Sequence, residues 1–182
     1  DFHNLPQKIK DLLKFDKTDF IISIISDDVE TPIISLEITK SAPLSQHIEQ
    51  RMARMISAAE LGIVPIFICP KILKKESGLP YKFHKKYYNL YNKIGTINKL
   101  PCVIFNYPDV DGVLINEDDY PECPKIDNNN INNAINFIKI ILSETEKFKE
   151  IDFNYFNNPK IKEIFNNQYL LAENEKYNWE TM

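Results

Sequence analysis

The sequence predicts an α/β fold, and three observations near its N-terminus carry that prediction. Residues 20–26 and 33–39 are rich in β-branched side chains and flank turn-forming residues, as in a strand hairpin. Residues 43–61 place apolar side chains at helical spacing, and residues 63–69 (IVPIFIC) are typical of a buried strand. Because a helix links these last two strands, we expect them to run parallel in one sheet.

Each element of this core has its own signal in the sequence. Residues 5–15 predict a short helix with Pro6 in its first turn, where proline is tolerated. The run from Phe20 to Ser26 is so apolar that it predicts a strand covered on both faces. Asp27 to Pro32 is interpreted as the hairpin turn, and Gly62 is expected to end the long helix.

The rest of the chain predicts helical and β-ribbon additions to the core. A helix is predicted with Phe83, Tyr87, Leu90 and Ile94 on its apolar face and Gly95 at its end. A strand at 101–106 and a hairpin or ribbon at 109–116 are expected after it. Two further helices are predicted, one carrying Ile131 to Leu142 and a last one that begins at Asn158-Pro159. The tyrosines and lysines at 81–93 favour a solvated helix with a tyrosine-rich core face over a wall that contacts DNA.

Length and composition indicate one globular domain with an appendage. With 182 residues, 43% of them hydrophobic, the chain can bury one core. We therefore expect an α/β domain at 1–145 and a helical extension at 146–182 that packs on it or on a partner. The net charge of −4 argues against a protein that coats nucleic acid through its overall charge, and it leaves room for an enzyme with a local basic cleft.

Several classes of protein are disfavoured by residue types and their spacing. Three cysteines without a CxxC pair favour a reduced, cytoplasmic protein over a disulfide framework. No apolar run is long enough to span a membrane, so we expect no membrane partner. Four glycines and no glycine-rich loop argue against a Rossmann or P-loop nucleotide site, and three scattered histidines do not make a zinc site.

Two carboxylates are expected to converge at one end of the predicted hairpin. Asp19 precedes the first strand, and Glu37 lies in an apolar strand, where a buried carboxylate is costly unless a metal or a partner compensates. Folding the hairpin about its turn places Ile22 roughly opposite Glu37, and Asp19 near Thr39 and Lys40. A bulge or a one-residue shift would bring Asp19 and Glu37 to the same side. So placed, they could share a Mg²⁺ ion, and Lys40 could assist the attacking water.

The alternative is that Asp19 caps a strand while Glu37 and Lys40 are ordinary solvated residues. Against it, the order of helix, strand hairpin, helix and strand resembles the core of the PD-(D/E)xK nuclease superfamily, which has the restriction-endonuclease-like fold. Asp19 and Glu37 match the two acids of that family. Thr39 stands where the family has its lysine and Lys40 follows, so the motif is an E-x-T-K variant. The resemblance covers residues 5 to 70.

The resemblance implies a Mg²⁺-dependent endonuclease of restriction type, with Mn²⁺ as a substitute metal and DNA favoured over RNA as substrate. It implies that Asp19 and Glu37 bind the metal and that Lys40, with the Thr39 hydroxyl, assists catalysis. The helix after the acids often borders the active site in this family, and four of its side chains are candidates to position phosphate or water: Gln46, Gln50, Arg51 and Arg54. A solvated polar face is the alternative for that helix, with Arg51 paired to His47.

Other interpretations stay open. The displaced lysine and the acidic net charge favour an inactive nuclease-fold module that binds or assembles, and an RNA-directed endonuclease shares the same broad core. An unrelated α/β interaction domain would leave Glu37 exposed and far from Asp19. A homodimer, with the C-terminal helices as its interface, is a further expectation.

Overall fold

The computed structural model describes residues 4–14, 17–39, 45–70, 72–74, 81–82, 85–107, 115–116, 129–145 and 154–174. Its helices are α1 (Gln7–Leu13), α2 (Ser45–Glu60), α3 (Lys85–Asn98), α4 (Asn129–Thr145) and α5 (Pro159–Asn174), with a 3₁₀ turn at Tyr155–Asn157. Its strands are β1 (Phe20–Ser26), β2 (Val29–Ile38), β3 (Val64–Pro70), β4 (Ile72–Lys74), β5 (Tyr81–Lys82), β6 (Val103–Tyr107) and β7 (Ile115–Asn116).

The main sheet has the strand order β1-β2-β3-β6. β1 runs antiparallel to β2, whereas β2, β3 and β6 are parallel. The hairpin, the crossover helix α2 and the parallel strand β3 confirm the predicted α/β core. Gly62, at φ +74°, follows α2 as expected, because glycine enters the left-handed region without steric cost. The short strands β5, β4 and β7 form a second sheet.

The hairpin turn is shorter than the sequence suggested. Only Asp27 and Asp28 form it, both with positive φ (51° and 62°), and β2 already begins at Val29. Two successive left-handed residues match the twist of the flanking strands, so a two-residue connection is enough. The predicted turn through Pro32 was therefore wrong.

The register of the hairpin contains a bulge. Ser23 lies opposite Pro32 and Ile22 opposite Ile34, so Ile33 is an extra residue on β2. The predicted pairing of Ile22 with Glu37 was wrong, because the shorter turn moves the register. Beyond the bulge Phe20 lies opposite Leu36, and one further step sets Asp19 opposite Glu37.

The two faces of the sheet are covered by different helices. The register aligns Glu37, Phe67 and Ile104 across β2, β3 and β6, so their side chains share a face. Tyr91 of α3 stacks on Phe67 with ring centroids 6.4 Å apart, which places α3 on this face. On the other face Phe105 packs against Phe137 of α4, with centroids 5.8 Å apart. The carboxylate of Glu37 thus belongs to the α2–α3 side.

The two edges of the main sheet differ. The side chains of β1 are partly or largely exposed, including Phe20 (56%) and Ile25 (73%), so the predicted cover on both faces was wrong. At the β6 edge Gln168 of α5 is buried and accepts a hydrogen bond from the Ile104 N–H at 2.6 Å. Its amide nitrogen donates to the Cys102 carbonyl oxygen at 3.1 Å. α5 therefore closes one edge of the sheet, and β1 forms the other.

Helix α3 runs past the glycine that was expected to end it. Gly95 lies inside α3, where a Cβ atom would come within 2.6 Å of the Leu100 carbonyl oxygen and of Phe165 Cε2 in α5. The glycine therefore allows close packing rather than termination. Tyr87, Tyr88 and Tyr91 are buried, which confirms the tyrosine-rich core face. Phe83, assigned to the same face, lies outside the described residues.

The later predictions are confirmed where the structure describes the chain. The strand expected at 101–106 is β6, and the two C-terminal helices are α4 and α5. Of the ribbon expected at 109–116, only Ile115–Asn116 is described. The division of the chain after residue 145 stays a prediction. None of the described helices is long and apolar enough to cross a bilayer.

Candidate active site

Glu37 is the centre of the candidate site, because it is a fully buried carboxylate near the end of β2. Nη1 of Arg54 lies 3.1 Å from its Oε2 and 3.3 Å from its Oε1. Nε of Arg51 lies 3.5 Å from Oε2. Both arginines come from α2, three positions apart, so they share the helix face that meets the sheet. This arrangement compensates the burial of a charge.

Asp19 lies beside Glu37 at the open end of the hairpin. Its side chain is exposed, and its Oδ2 accepts a hydrogen bond from the Ile38 N–H at 2.8 Å. The Asp19 N–H donates to Glu37 Oε1 at 3.3 Å. The two acids are therefore neighbours across the strand pair, with one buried and one facing solvent. The exposed Glu37, distant from Asp19, that was expected of an unrelated interaction domain is not found.

The electrostatics of the pair follow from this placement. Burial raises the pKa of Glu37 above its ordinary value, and the nearby negative charge of Asp19 raises that pKa further. The charge and hydrogen bond of Arg54 act in the opposite direction without cancelling the rise. Two carboxylates that repel each other in this way favour a cation between them.

The end of β2 is held by the neighbouring strands. The Thr39 N–H donates to the Ile68 carbonyl oxygen of β3 at 3.0 Å, and the Tyr107 hydroxyl of β6 donates to the Thr39 carbonyl oxygen. Thr39 itself is buried, with 8% of its surface exposed. Lys40, the predicted catalytic lysine, lies outside the described residues. The backbone that leads to it is nevertheless anchored on both β3 and β6.

The predicted phosphate-binding side chains are distributed unevenly. Arg54 faces the acids, whereas Gln50 is exposed on α2. Gln46 belongs to α2, but its side chain lies outside the described residues. Arg51 was predicted to pair with His47, whose side chain lies outside the described residues. Like Arg54, Arg51 contacts Glu37. Arg51 and Arg54 are three residues apart on α2, and this spacing could have predicted that both side chains contact the same acid.

Two contributors were missed from the sequence. Thr18 precedes the acid pair, and its hydroxyl lies 2.9 Å from the Ser35 hydroxyl on β2, beneath the hairpin end. Tyr107 lies 68 residues from Thr39 in the chain. No local pattern in the sequence joins residues so far apart, because the contact depends on the strand order of the sheet.

Comparison with known proteins gives no match from which a role could be assigned to these residues. No protein-family model, curated protein or solved structure matches the chain. In the described ranges there is no group of three or more histidine, cysteine, aspartate or glutamate side chains that could hold a metal ion. Asp19 and Glu37 supply two carboxylates, and Mg²⁺ commonly takes one or two from a protein while substrate phosphate and water complete its shell. In type and number the two carboxylates meet this requirement, and both oxygens of Glu37 are also contacted by Arg54.

Proposed function

We propose that this protein is a Mg²⁺-dependent endonuclease of the restriction-endonuclease-like fold, which hydrolyses phosphodiester bonds in DNA. The observation that carries the proposal is the pairing of Asp19 with Glu37 at the open end of the β1–β2 hairpin. Their negative charges are close enough for Asp19 to raise the pKa of Glu37. The order of elements and an E-x-T-K segment at the end of β2 support the same assignment.

The two acids and the groups that contact them each have a stated role in this proposal. Asp19 and Glu37 would hold the metal, which when bound neutralises phosphate charge and lowers the pKa of a water molecule. The Ile38 N–H fixes the orientation of the Asp19 carboxylate, while Arg51 and Arg54 fix that of Glu37. Either guanidinium can also bind a phosphate oxygen.

A second candidate function has one specific observation in its favour. Glu37 is fully buried, and Arg54 contacts both of its carboxylate oxygens. A buried acid with an arginine on both of its oxygens is also typical of a structural ion pair. The chain would then be a nuclease-fold module that binds or assembles without cutting.

Asp19→Asn is the sharpest test of the nuclease proposal. Asparagine keeps an oxygen that can accept the Ile38 N–H, and the side chain is exposed, so we expect the fold to survive. The charge that would bind the metal is lost. We expect cleavage of supercoiled plasmid with Mg²⁺ or Mn²⁺ to fall by about a hundredfold or more, because metal stabilisation of the transition state is worth several kcal/mol.

Asp28→Asn is the matched control for that experiment. It removes the same charge from the same hairpin at its opposite end, and asparagine tolerates the positive φ found there. Its cleavage should equal that of the wild type. RNA is assayed in parallel, since cleavage of RNA alone would correct the substrate class. Metal binding without cleavage of either substrate would favour the non-cutting module, and the absence of both would refute the nuclease proposal.

A further inference from the structure

The β1 edge of the main sheet carries none of the side chains that usually protect such an edge. Among the described residues β1 pairs with β2 alone, and its seven residues include no lysine, glutamate or proline. Proteins usually protect such an edge with charged side chains, proline or a covering element, because its backbone groups are free to pair with another strand. Gln168 and α5 provide that cover at the β6 edge.

Apolar side chains surround this edge. Ile25 is 73% exposed, Val29 62% and Phe20 56%, and all three belong to the β1–β2 hairpin. Ile97, on helix α3, is exposed to a similar extent (68%) and offers a comparison with Ile25 at a different part of the chain. Exposed apolar side chains along an edge strand are typical of a surface that binds another strand.

The sequence of β1 indicates which strand would fit. Residues 21–25 read Ile-Ile-Ser-Ile-Ile, which is the same in both directions about Ser23. Two antiparallel edge strands of identical chains are related by a twofold axis perpendicular to the sheet, so each face continues into the same face of the other copy. Since alternate residues share a face, only registers centred on a residue satisfy this condition.

The register centred on Ser23 matches the side chains best. It sets Ile21 opposite Ile25 and Ile22 opposite Ile24, and each pair occurs twice by symmetry. A register centred on Ile22 or on Ile24 would set isoleucine opposite serine instead. Pairs of β-branched side chains opposite each other stabilise adjacent strands. The β1 edge is therefore self-complementary in one register.

We propose that β1 is a dimerisation edge, where a second copy of this chain adds its own β1 antiparallel about Ser23 to make one continuous sheet. This places the interface on the hairpin rather than on the C-terminal helices expected from the sequence. It is independent of the nuclease proposal, because it rests on the edge strand and not on the acid pair.

Charges at the ends of the paired segment give the dimer a characteristic salt response. In this register Asp19 of one copy approaches Asp27 of the other, and each chain carries a net charge of −4. Like charges opposite each other destabilise paired strands, and salt screens them. We therefore expect added NaCl to strengthen the dimer, whereas an interface made by ion pairs would weaken.

Substitution of one exposed isoleucine tests where the interface lies. Ile25→Lys places a charge on the edge without disturbing the core, so by sedimentation equilibrium we expect the dimer dissociation constant to rise about tenfold or more. Ile97→Lys is the matched control on α3 and should leave the constant unchanged. A wild type that is monomeric at every concentration, or equal effects of the two variants, would overturn the proposal.

A cysteine at the centre of symmetry tests the register. Ser23→Cys would place two thiols opposite each other, and paired antiparallel strands hold Cα atoms at distances a disulfide can span. We expect rapid oxidative cross-linking of this variant. Ser26→Cys, an exposed serine on the same strand, would face Phe20 of the other copy and should cross-link no faster than the wild type. Equal rates for the two variants would exclude this register and with it the proposal.

Discussion

At the scale of single residues, the charged form of Glu37 is opposed by burial and by the like charge of Asp19, and it is contacted by two arginines. Glu37 has no exposed surface, while Asp19 faces solvent one strand away. Arg54 stabilises the charged form of Glu37, and both burial and Asp19 oppose it. The two carboxylates therefore have different environments at one site, which is the usual condition for different chemical roles.

The pKa of Glu37 should respond to Asp19. We expect Asp19→Asn to lower the pKa of Glu37, because it removes the negative charge that raises it. The measurement is a titration of side-chain carboxyl carbons by NMR. Asp28→Asn, at the far end of the hairpin, should leave the Glu37 titration where it is, and a Glu37 pKa unmoved by Asp19→Asn would contradict this account of the site.

The same shift makes a prediction about stability. A carboxyl group whose pKa is raised by folding holds its proton more tightly in the folded state than in the unfolded state. The ordinary pKa of this carboxyl group is 4.5. As the pH rises above that value and through the raised pKa of the folded state, Glu37 should therefore lower the free energy of unfolding. In Asp19→Asn this decline should become smaller, which urea unfolding at a series of pH values measures. A steeper decline in the variant would show that the sign is wrong.

At the scale of elements, close approach of α3 and α5 depends on the absence of a side chain at Gly95. In an exposed helix, replacing glycine with alanine stabilises the helix by about 1 kcal/mol. Here the added Cβ would lie 2.6 Å from both the Leu100 carbonyl oxygen and Phe165 Cε2. The backbone oxygen cannot turn away as a flexible side chain can. Packing therefore outweighs helix propensity at this position.

We expect Gly95→Ala to destabilise the protein by about 1–3 kcal/mol, the usual cost of overpacking. Chemical denaturation gives the change in the free energy of unfolding. Asn89→Ala, at an exposed position of the same helix, is the control and should be neutral or slightly stabilising, because alanine is the better helix former. If Gly95→Ala matched this control, the contact between α3 and α5 would be looser than described.

At the scale of the whole molecule, Gln168 connects three parts of the fold. Besides the Ile104 N–H and the Cys102 carbonyl, it donates to Asn92 Oδ1 of α3 at 2.9 Å. All of these groups are buried, and a buried polar group without a partner is costly. One side chain therefore holds α5 against both α3 and the β6 edge.

Gln168→Met should remove these hydrogen bonds while keeping a side chain of similar length. We expect a loss of about 1–3 kcal/mol in the free energy of unfolding, since buried donors and acceptors would lose their partner. Hydrogen exchange at the Ile104 amide should accelerate more than at the rest of β6. Asn167→Met, next to it but exposed, should change neither quantity, and an unaltered Ile104 amide in Gln168→Met would rule out this role.

The sequence predicted the elements of this fold better than their relations. Local periodicity was enough for α2, β3 and the crossover, because those patterns are set by neighbours in the chain. The turn at Asp27-Asp28 was overestimated, because polar residues after it were assigned to a loop although they pair in β2. Asp19 and Glu37 were predicted to converge if the hairpin contained a bulge or a one-residue shift, and the bulge at Ile33 does bring them together. The contact from Tyr107 to Thr39 was not predicted, because only the assembled sheet brings them together.

The extra residue at Ile33 has a consequence for how this hairpin can change over evolution. If Ile33 were paired in a regular ladder instead of forming a bulge, the two-residue turn would set Asp19 opposite Leu36 and leave Glu37 pointing to the other face of the sheet. Deletion of Ile33 would give a regular ladder and keep Asp19 opposite Glu37, whereas deletion of one residue between the bulge and either acid would put the two acids on different faces. Descendants of an ancestral gene should therefore tolerate many changes of side chain between residues 19 and 37, but few changes in the number of residues between the bulge and either acid.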